Sequence, residues 1–314
     1  MDNLIFSLNA TMPIFLLMVL GYIFRQLGWI DEGFASKMNK FVFLVPLPVK
    51  VFSDVAAVDI SEIWDPGFLV FCFVATILAV LISILLAKVF IDPKEQGEFV
   101  QAAYRSSAAL LGIAFVNNVY GNSSMTALMI IGAVPVYNVM AVIVLSLMKP
   151  ESSSLNRDLL LKTLKGIVTN PIIIGIVLGL LWSILGIPLT GIASKTVSNL
   201  SCLATPMGLM AMGATFDFKK AFGKLKASLI AVFMKLFGFE MIFLPFAVML
   251  GYRMEKLLSI LVMLGSATTV ASFVMAKSMG HEGTVTSSTV MLTTLFSAVS
   301  LTFWLWLCKS FGLI

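Results

Sequence analysis

Charge is scarce in this chain, and where it interrupts apolar sequence it calls for a partner. Of 314 residues, 59% are hydrophobic and 12% are Asp, Glu, Lys or Arg. Lys235 and Glu240 both fall inside the apolar run Leu229–Leu250. Ionisable groups in such a run are costly and default to ion, proton or ligand pathways. Five positions apart, they project about 140° from each other on a straight helix, so a direct pair is awkward. Glu240 reads as a proton carrier or as a carboxyl at the edge of a span kinked ahead of Pro245, with the second reading favoured. Lys50, after Pro46 and Pro48, reads equally as an anion contact or as a stem snorkelling to the interface. Asn138 is mid-run, and a buried amide must place several hydrogen bonds, on a neighbouring helix or on a bound molecule. Hydroxyls gather at Ser106 and Ser107 and again at Ser266, Thr268 and Thr269, as donors to a ligand or bonded back to their own helix. Asn117 and Asn118 are solvated caps or gate groups. This set suits the binding of a small polar or anionic molecule. Glu240 and scattered serines form no catalytic pairing, so an enzyme is not expected.

The elements that must hold these residues are membrane spans. Soluble chains carry about 25% charged residues, and mean hydropathy here is +1.02. Cys72, Cys202 and Cys308 each sit in apolar runs, which gives no disulfide framework. His281 is the one histidine, read as solvated beside Glu282, so no metal site and no cofactor is expected. No phosphate-binding Gly-x-x-x-x-Gly-Lys-Ser/Thr run occurs, which argues against ATP-driven pumping. The net charge of +5 is explained by loop orientation, without nucleic acid. Met1–Leu20 holds Asp2 and no Lys or Arg, which reads as a retained helix and not a cleaved signal.

Apolar runs predict ten helices, near 5–25, 36–56, 66–90, 97–120, 124–148, 162–185, 192–214, 222–250, 255–279 and 285–311. The fourth has only a short uninterrupted apolar centre, Ala108–Val116, and small and hydroxyl residues crowd the middle of the ninth. Such backbone survives at mid-membrane depth when buried in protein or lining a cavity. The halves correspond at an offset of 158: Pro13 with Pro171, Gly21 with Gly179, Gly28 with Gly186, Pro48 with Pro206, and Phe115-Val116 with Phe273-Val274. This predicts an all-α polytopic fold of two five-helix repeats, 1–150 and 151–314. An odd number of helices per repeat inverts the second. Lys and Arg counting agrees with both termini outside. Arg25, Lys37, Lys40, Lys88, Lys94, Arg105, Lys149, Arg157, Lys162, Lys165, Lys219, Lys220, Lys224, Lys226 and Lys277 fall inside, against Lys195, Arg253, Lys256 and Lys309 outside. Arg105 is thereby read as an anchor at the cytoplasmic end of helix four. Interrupted helices in inverted repeats are the architecture of many secondary transporters, with the ligand near the midplane.

Several motifs in order resemble the auxin efflux carrier family in its bacterial, PIN-like branch. They are Tyr104-Arg-Ser-Ser-Ala-Ala-Leu-Leu-Gly112 through Tyr120-Gly121, Pro135-Val-Tyr-Asn138, Asn170-Pro171 with Gly179, and Pro206-Met-Gly-Leu209 with Gly213. Lys235, Ser272-Phe-Val-Met-Ala-Lys277 with Gly280, and Thr293-Thr-Leu-Phe-Ser297 continue the match. Ser107, Ala114 and Ala267 stand where the family has Asn, Pro and Pro. Without those prolines the sequence does not choose between small-residue breaks and fully unwound segments. The resemblance implies scaffold helices 1, 2, 6 and 7, transport helices 3–5 and 8–10, and a homodimer in the bacterial plasma membrane. It also implies a small carboxylate as cargo, auxin or a mono- or dicarboxylate, moved by alternating access. A cation-coupled carrier of the bile-acid or sodium/proton antiporter type is the alternative. It ranks lower because residues 106–120 and 263–276 contain no Asp or Glu.

Overall fold

Proline placement sets where many of the helices begin. Pro46, Pro66 and Pro171 each occupy a first helical position, where the missing N–H costs nothing. Side chains of Asp31, Asp65 and Asn170 cap free N–H groups of Phe34, Phe68 and Ile172. Gly121 and Gly186 close helices in the left-handed conformation, at φ 68° and 61°.

The computed structural model describes residues 2–57, 64–121, 123–149 and 164–314. Asp59, Glu62, Arg157, Lys162 and most of the polar stretch expected between the two repeats lie outside them. The described residues are almost wholly helical, and their only ladder is an isolated bridge between Ser106 and Thr268. In chain order come α1 (Asp2–Gln26), α2 (Glu32–Leu44), α3 (Pro46–Ala56) and α4 (Pro66–Phe90). Then follow α5 (Gln96–Tyr104), α6 (Ala108–Tyr120), α7 (Ser124–Leu147) and α8 (Pro171–Leu185). Next are α9 (Gly191–Cys202), α10 (Ala204–Thr215), α11 (Phe218–Gly223) and α12 (Leu225–Phe233). A π-helical turn, Met234–Gly238, leads into α13 (Phe239–Met249), then α14 (Met254–Gly265), α15 (Val270–Ser278) and α16 (Thr284–Ser310). Pro66–Phe90, Ser124–Leu147, Leu225–Met249 and Thr284–Ser310 are each long and apolar enough to cross a membrane.

The burial pattern suits a lipid solvent. α16 buries Thr286, Ser288, Thr289, Thr293, Thr294, Ser297 and Ser300, while Phe296, Val299 and Trp306 are exposed. In water that arrangement would be inside out. Hydroxyls facing neighbouring helices bond backbone carbonyls one turn back, as Thr289 does to Val285 and Thr293 to Thr289.

Glycines bring backbones together at two mirrored places. α1 packs on α10 and α3 on α8. A Cβ at Gly21 would strike the Met210 backbone, and one at Gly179 would strike that of Phe52. Adding 158 to 21 and to 52 gives 179 and 210, so the two contacts exchange under the sequence offset. Gly213 likewise leaves no room for a Cβ against the Met18 carbonyl.

At the α15–α16 turn, charge and capping lock α5 to α16. The Glu98 carboxylate accepts from the N–H groups of Gly283 (2.7 Å), Val285 (3.0 Å) and Thr286 (3.2 Å), so one helix caps the next from outside. Glu282 pairs with Lys224 and, at 3.0 Å, with Lys220. His281 departs from its expected solvated state. It is buried, with Nε2 2.8 Å from the Leu145 carbonyl, because the turn folds back onto α7.

Gly213→Ala is expected to lower the melting temperature in detergent, at a cost of about 1–3 kcal/mol for forcing two backbones apart. Gly223→Ala, with open space around it, is expected to stay within about 0.5 kcal/mol of the parent. The hydrogen bond from Lys224, aided by Lys220, holds the Glu282 carboxyl down from 4.5 to about 2. The native pKa is lower than the unfolded one, so this contribution is intact above pH 4.5 and lost as pH falls from there toward 2. Glu282→Gln should flatten the acid limb of a melting-temperature profile across that window and leave the neutral region little changed.

Candidate functional site

Two helices stop and restart at the same place. Between α5 and α6 the residues Arg105, Ser106 and Ser107 leave the helical path, and between α14 and α15 Ser266–Thr269 do so. Serine and threonine offer the backbone alternative hydrogen bonds, and β-branched threonine fits a helix poorly. Family prolines are therefore not required to unwind these segments. Arg105, Ser266 and Thr269 hold extended ψ angles of 125°, 157° and 141°. The segments cross as an antiparallel bridge, with the Ser107 N–H donating to the Ala267 carbonyl at 2.9 Å.

The backbone groups this frees are bonded by side chains from the surrounding helices. Thr268 donates through Oγ1 to the Ala102 carbonyl (2.8 Å), and its N–H donates to Thr293 Oγ1 (3.0 Å). The Met263 carbonyl accepts from Tyr137 Oη at 2.8 Å and from Ser106 Oγ. Gln101 Nε2 reaches the Ser272 carbonyl at 2.8 Å. Lys235, fully buried on the π-helical turn, donates to the carbonyls of Tyr104 and Leu264 and to Ser106 Oγ. The Trp304 indole N–H bonds the Leu236 carbonyl at 3.0 Å, next to the turn. Lys235 therefore faces the C-terminal ends of α5 and α14.

The N-terminal ends of α6 and α15 border a cavity of about 80 Å³. Asn138, Ser106, Ser107, Thr268, Thr269 and Lys50 all line it, together with Thr294 and Arg105. Lys50 is paired there with Asp54 at 3.0 Å. Ser266 is buried at the break, off the cavity wall, and its hydroxyl has no hydrogen-bond partner among the described residues. Asn117 is exposed on α6, nine residues or about 14 Å along the helix from Ala108, and does not line the cavity. Glu240 lines a separate, apolar cavity of about 540 Å³ with Leu244, Trp304 and Cys308. Neither of its carboxyl oxygens has a hydrogen-bond partner among the described residues.

Arg105 overturns its reading as a cytoplasmic anchor. It is buried at the break, donating through Nη2 to Asn138 Oδ1 (2.8 Å) and through Nη1 to Met275 Sδ (2.9 Å). Its Nε has no partner, and no carboxylate pairs with it among the described residues. Asn138 is fixed in turn by Nδ2 donating to the Val134 carbonyl at 2.9 Å. Charge counting hid this residue, because it assigns every arginine near a span end to a loop. The signal that reveals it is its position directly before Ser106-Ser107, eight residues or about 12 Å into the predicted span.

A larger vestibule of about 1070 Å³ lies beside the cavity. Its walls carry Arg25, Lys40, Lys219, Lys220 and Lys277 against Glu32, Asp217 and Glu282. Leu44, Ala211, Phe273 and Ser287 line the vestibule, and Leu47, Leu209, Ala271 and Val290 line the cavity. On α10, α15 and α16 the two spaces are thus two or three residues apart, about 3–5 Å, and Leu44 and Leu47 flank the α2–α3 junction in the same way. Asn39 spans the vestibule wall, with Nδ2 donating to the Val274 carbonyl (3.3 Å) and Ser278 Oγ (3.2 Å) on α15. Among the described residues no group of His, Cys, Asp and Glu is arranged to hold a metal ion.

A buried guanidinium beside two helix N-termini, with a basic vestibule nearby and an apolar outer surface, fits movement of solute across a membrane. Comparison with known proteins agrees. The chain is 24% identical over 217 residues to an uncharacterized transporter of Methanothermobacter thermautotrophicus, covering 68% of this chain and 69% of that protein. The family model described as a membrane transport protein matches residues 6–305, and the chain belongs to that auxin-efflux-carrier-like membrane transport family.

Proposed function

We propose that this protein is a secondary active or facilitative carrier of a small organic anion, working by alternating access at the crossing of its broken helices. The observation that carries the reading is Arg105, a buried guanidinium that among the described residues has no acid partner and no partner for Nε, held by Asn138 at the wall of the cavity. Backbone N–H groups at the starts of α6 and α15 add positive potential on the same side. A carboxylate satisfies both. A cavity of about 80 Å³ takes a short aliphatic acid more readily than an indole ring. Cargo on that scale is a mono- or dicarboxylate, and auxin would need the cavity to widen.

In this reading residues 1–150 and 151–314 are inverted repeats, a relation supported by the exchange of the Gly21–Met210 and Gly179–Phe52 contacts under the offset of 158. Helices 1, 2, 6 and 7 form the scaffold, and helices 3–5 and 8–10 carry the crossing. Both termini lie outside the plasma membrane, the vestibule faces the cytoplasm, and two copies associate as a homodimer. The layer between vestibule and cavity, Leu47, Leu209, Ala271 and Val290 among its residues, is the inner gate. A cation-coupled carrier would place carboxylates at the crossing, and residues 105–109 and 266–271 contain none.

Purified protein in proteoliposomes on a solid-supported membrane tests this with malonate, malate, lactate, indole-3-acetate and a neutral amide. Currents should follow the carboxylates and not the amide. Arg105→Ala should cut flux at low substrate at least ~30-fold, matching the roughly 2–5 kcal/mol lost on truncating a buried charged partner. Arg105→Lys keeps the charge but not the fork and should sit between the two. Asn138→Ala should raise the half-saturating concentration, and Glu240→Gln, which does not line the cavity, should leave malonate currents intact. Equal currents in the parent and Arg105→Ala would remove the site.

A further inference from the structure

Lys235 makes no ion pair with a carboxylate among the described residues, although the Glu240 carboxyl lies close enough to act on it electrostatically. Its ammonium donates to the Tyr104 carbonyl (3.4 Å), the Leu264 carbonyl and Ser106 Oγ, and the side chain is fully buried. Glu240, on the same helix, packs against Gly265 with its oxygens unbonded. The carbonyl oxygens that the ammonium bonds come from helix ends. Tyr104 is the last residue of α5 and Leu264 the next to last of α14, so both carbonyls belong to the set a helix leaves unpaired. Each end carries roughly half a negative charge, and two together amount to about one elementary charge facing one ammonium.

Stripped of its lysine, that place is a small shell of oxygen atoms at the meeting point of two discontinuous helices. Unwound carbonyls and half-helix C-termini are the groups with which such folds hold monovalent cations. An ammonium with three donors on a long stem meets the same oxygens without being free to leave. We propose that the crossing contains a monovalent-cation site permanently filled by the protein's own Lys235, and that truncating this side chain converts it into a site for a free monovalent cation. Lys235 is thus a positioning residue, acting on the broken helices and not on the cargo. The assignment rests on the helix ends and holds whatever anion is carried.

The test uses full-length protein in detergent, with melting temperature read in sodium, potassium, ammonium or choline chloride at equal ionic strength, and needs no substrate. The parent should melt at the same temperature in all four. Lys235→Ala should melt lower in choline and be raised, saturably, by at least one of the small cations. The rise should be roughly 2–4 °C at ten times its dissociation constant. Lys235→Met, which fills the space without charge, should melt low and show no cation response. Should Lys235→Ala fail to fold in choline, recovery of monodisperse protein when it is solubilised in ammonium or sodium supports the proposal, and failure in every salt overturns it. Selective stabilisation of the parent by sodium or potassium, or a Lys235→Ala protein indifferent to the salt, also overturns it. Absence of carboxylate currents in the parent would refute the carboxylate reading of the cavity and leave this result unaffected.

Discussion

Backbone that leaves a helix inside a bilayer has no water to turn to, and everything at the centre of this protein follows from that constraint. Interrupting one helix there would strand several amides and carbonyls. Interrupting two at the same point lets each supply part of what the other lacks, as in the Ser107 to Ala267 bond. The remainder falls to side chains that look unremarkable one at a time: Thr268, Thr293, Gln101, Tyr137 and Lys235. The hydroxyl-rich buried face of α16 contributes Thr293 to this task, as acceptor from the Thr268 N–H.

Electrostatics then divides the crossing into two sides. Helix C-termini converge on Lys235, while N-termini border the cavity where Arg105 is held. The two cations differ in kind. An ammonium bonded to neutral carbonyls neutralises the ends of two helices and leaves no capacity for a ligand. A guanidinium held by one amide and one thioether keeps an unused donor. That difference separates structural charge from binding charge more clearly than burial, which is nearly complete for both.

The surroundings keep this arrangement in register. Glu98, one turn before Gln101 on α5, caps α16 and so ties the first broken helix to the helix whose Thr293 supports the second. On the other side α1, α3, α8 and α10 meet at glycines too tight for any larger residue. One region is thus fastened by polar bonds and the other by close backbone contact. The vestibule and cavity lie where the two meet.

Much of this was written in the chain. Its hydropathy requires a membrane solvent, because a surface with so little charge and so much exposed apolar area is stable only there. Small and hydroxyl residues in the fourth and ninth stretches mark the breaks, because they weaken helices locally. Asn138, Ser106, Ser107, Thr268 and Thr269 were legible as neighbours for the same reason: each is a polar residue whose place in an apolar span needs explaining. Tertiary structure decided the rest. Arg105 looked like a loop charge until packing set it against Asn138, 33 positions away. His281 looked solvated until its turn folded onto α7. Lys235 and Glu240 looked comparable, yet one donates to three oxygens and the other has no hydrogen-bond partner among the described residues. Local sequence fixes which groups are costly to bury, since that cost belongs to the residue. It does not say which distant group compensates the cost, because that depends on which helix faces the packing brings together.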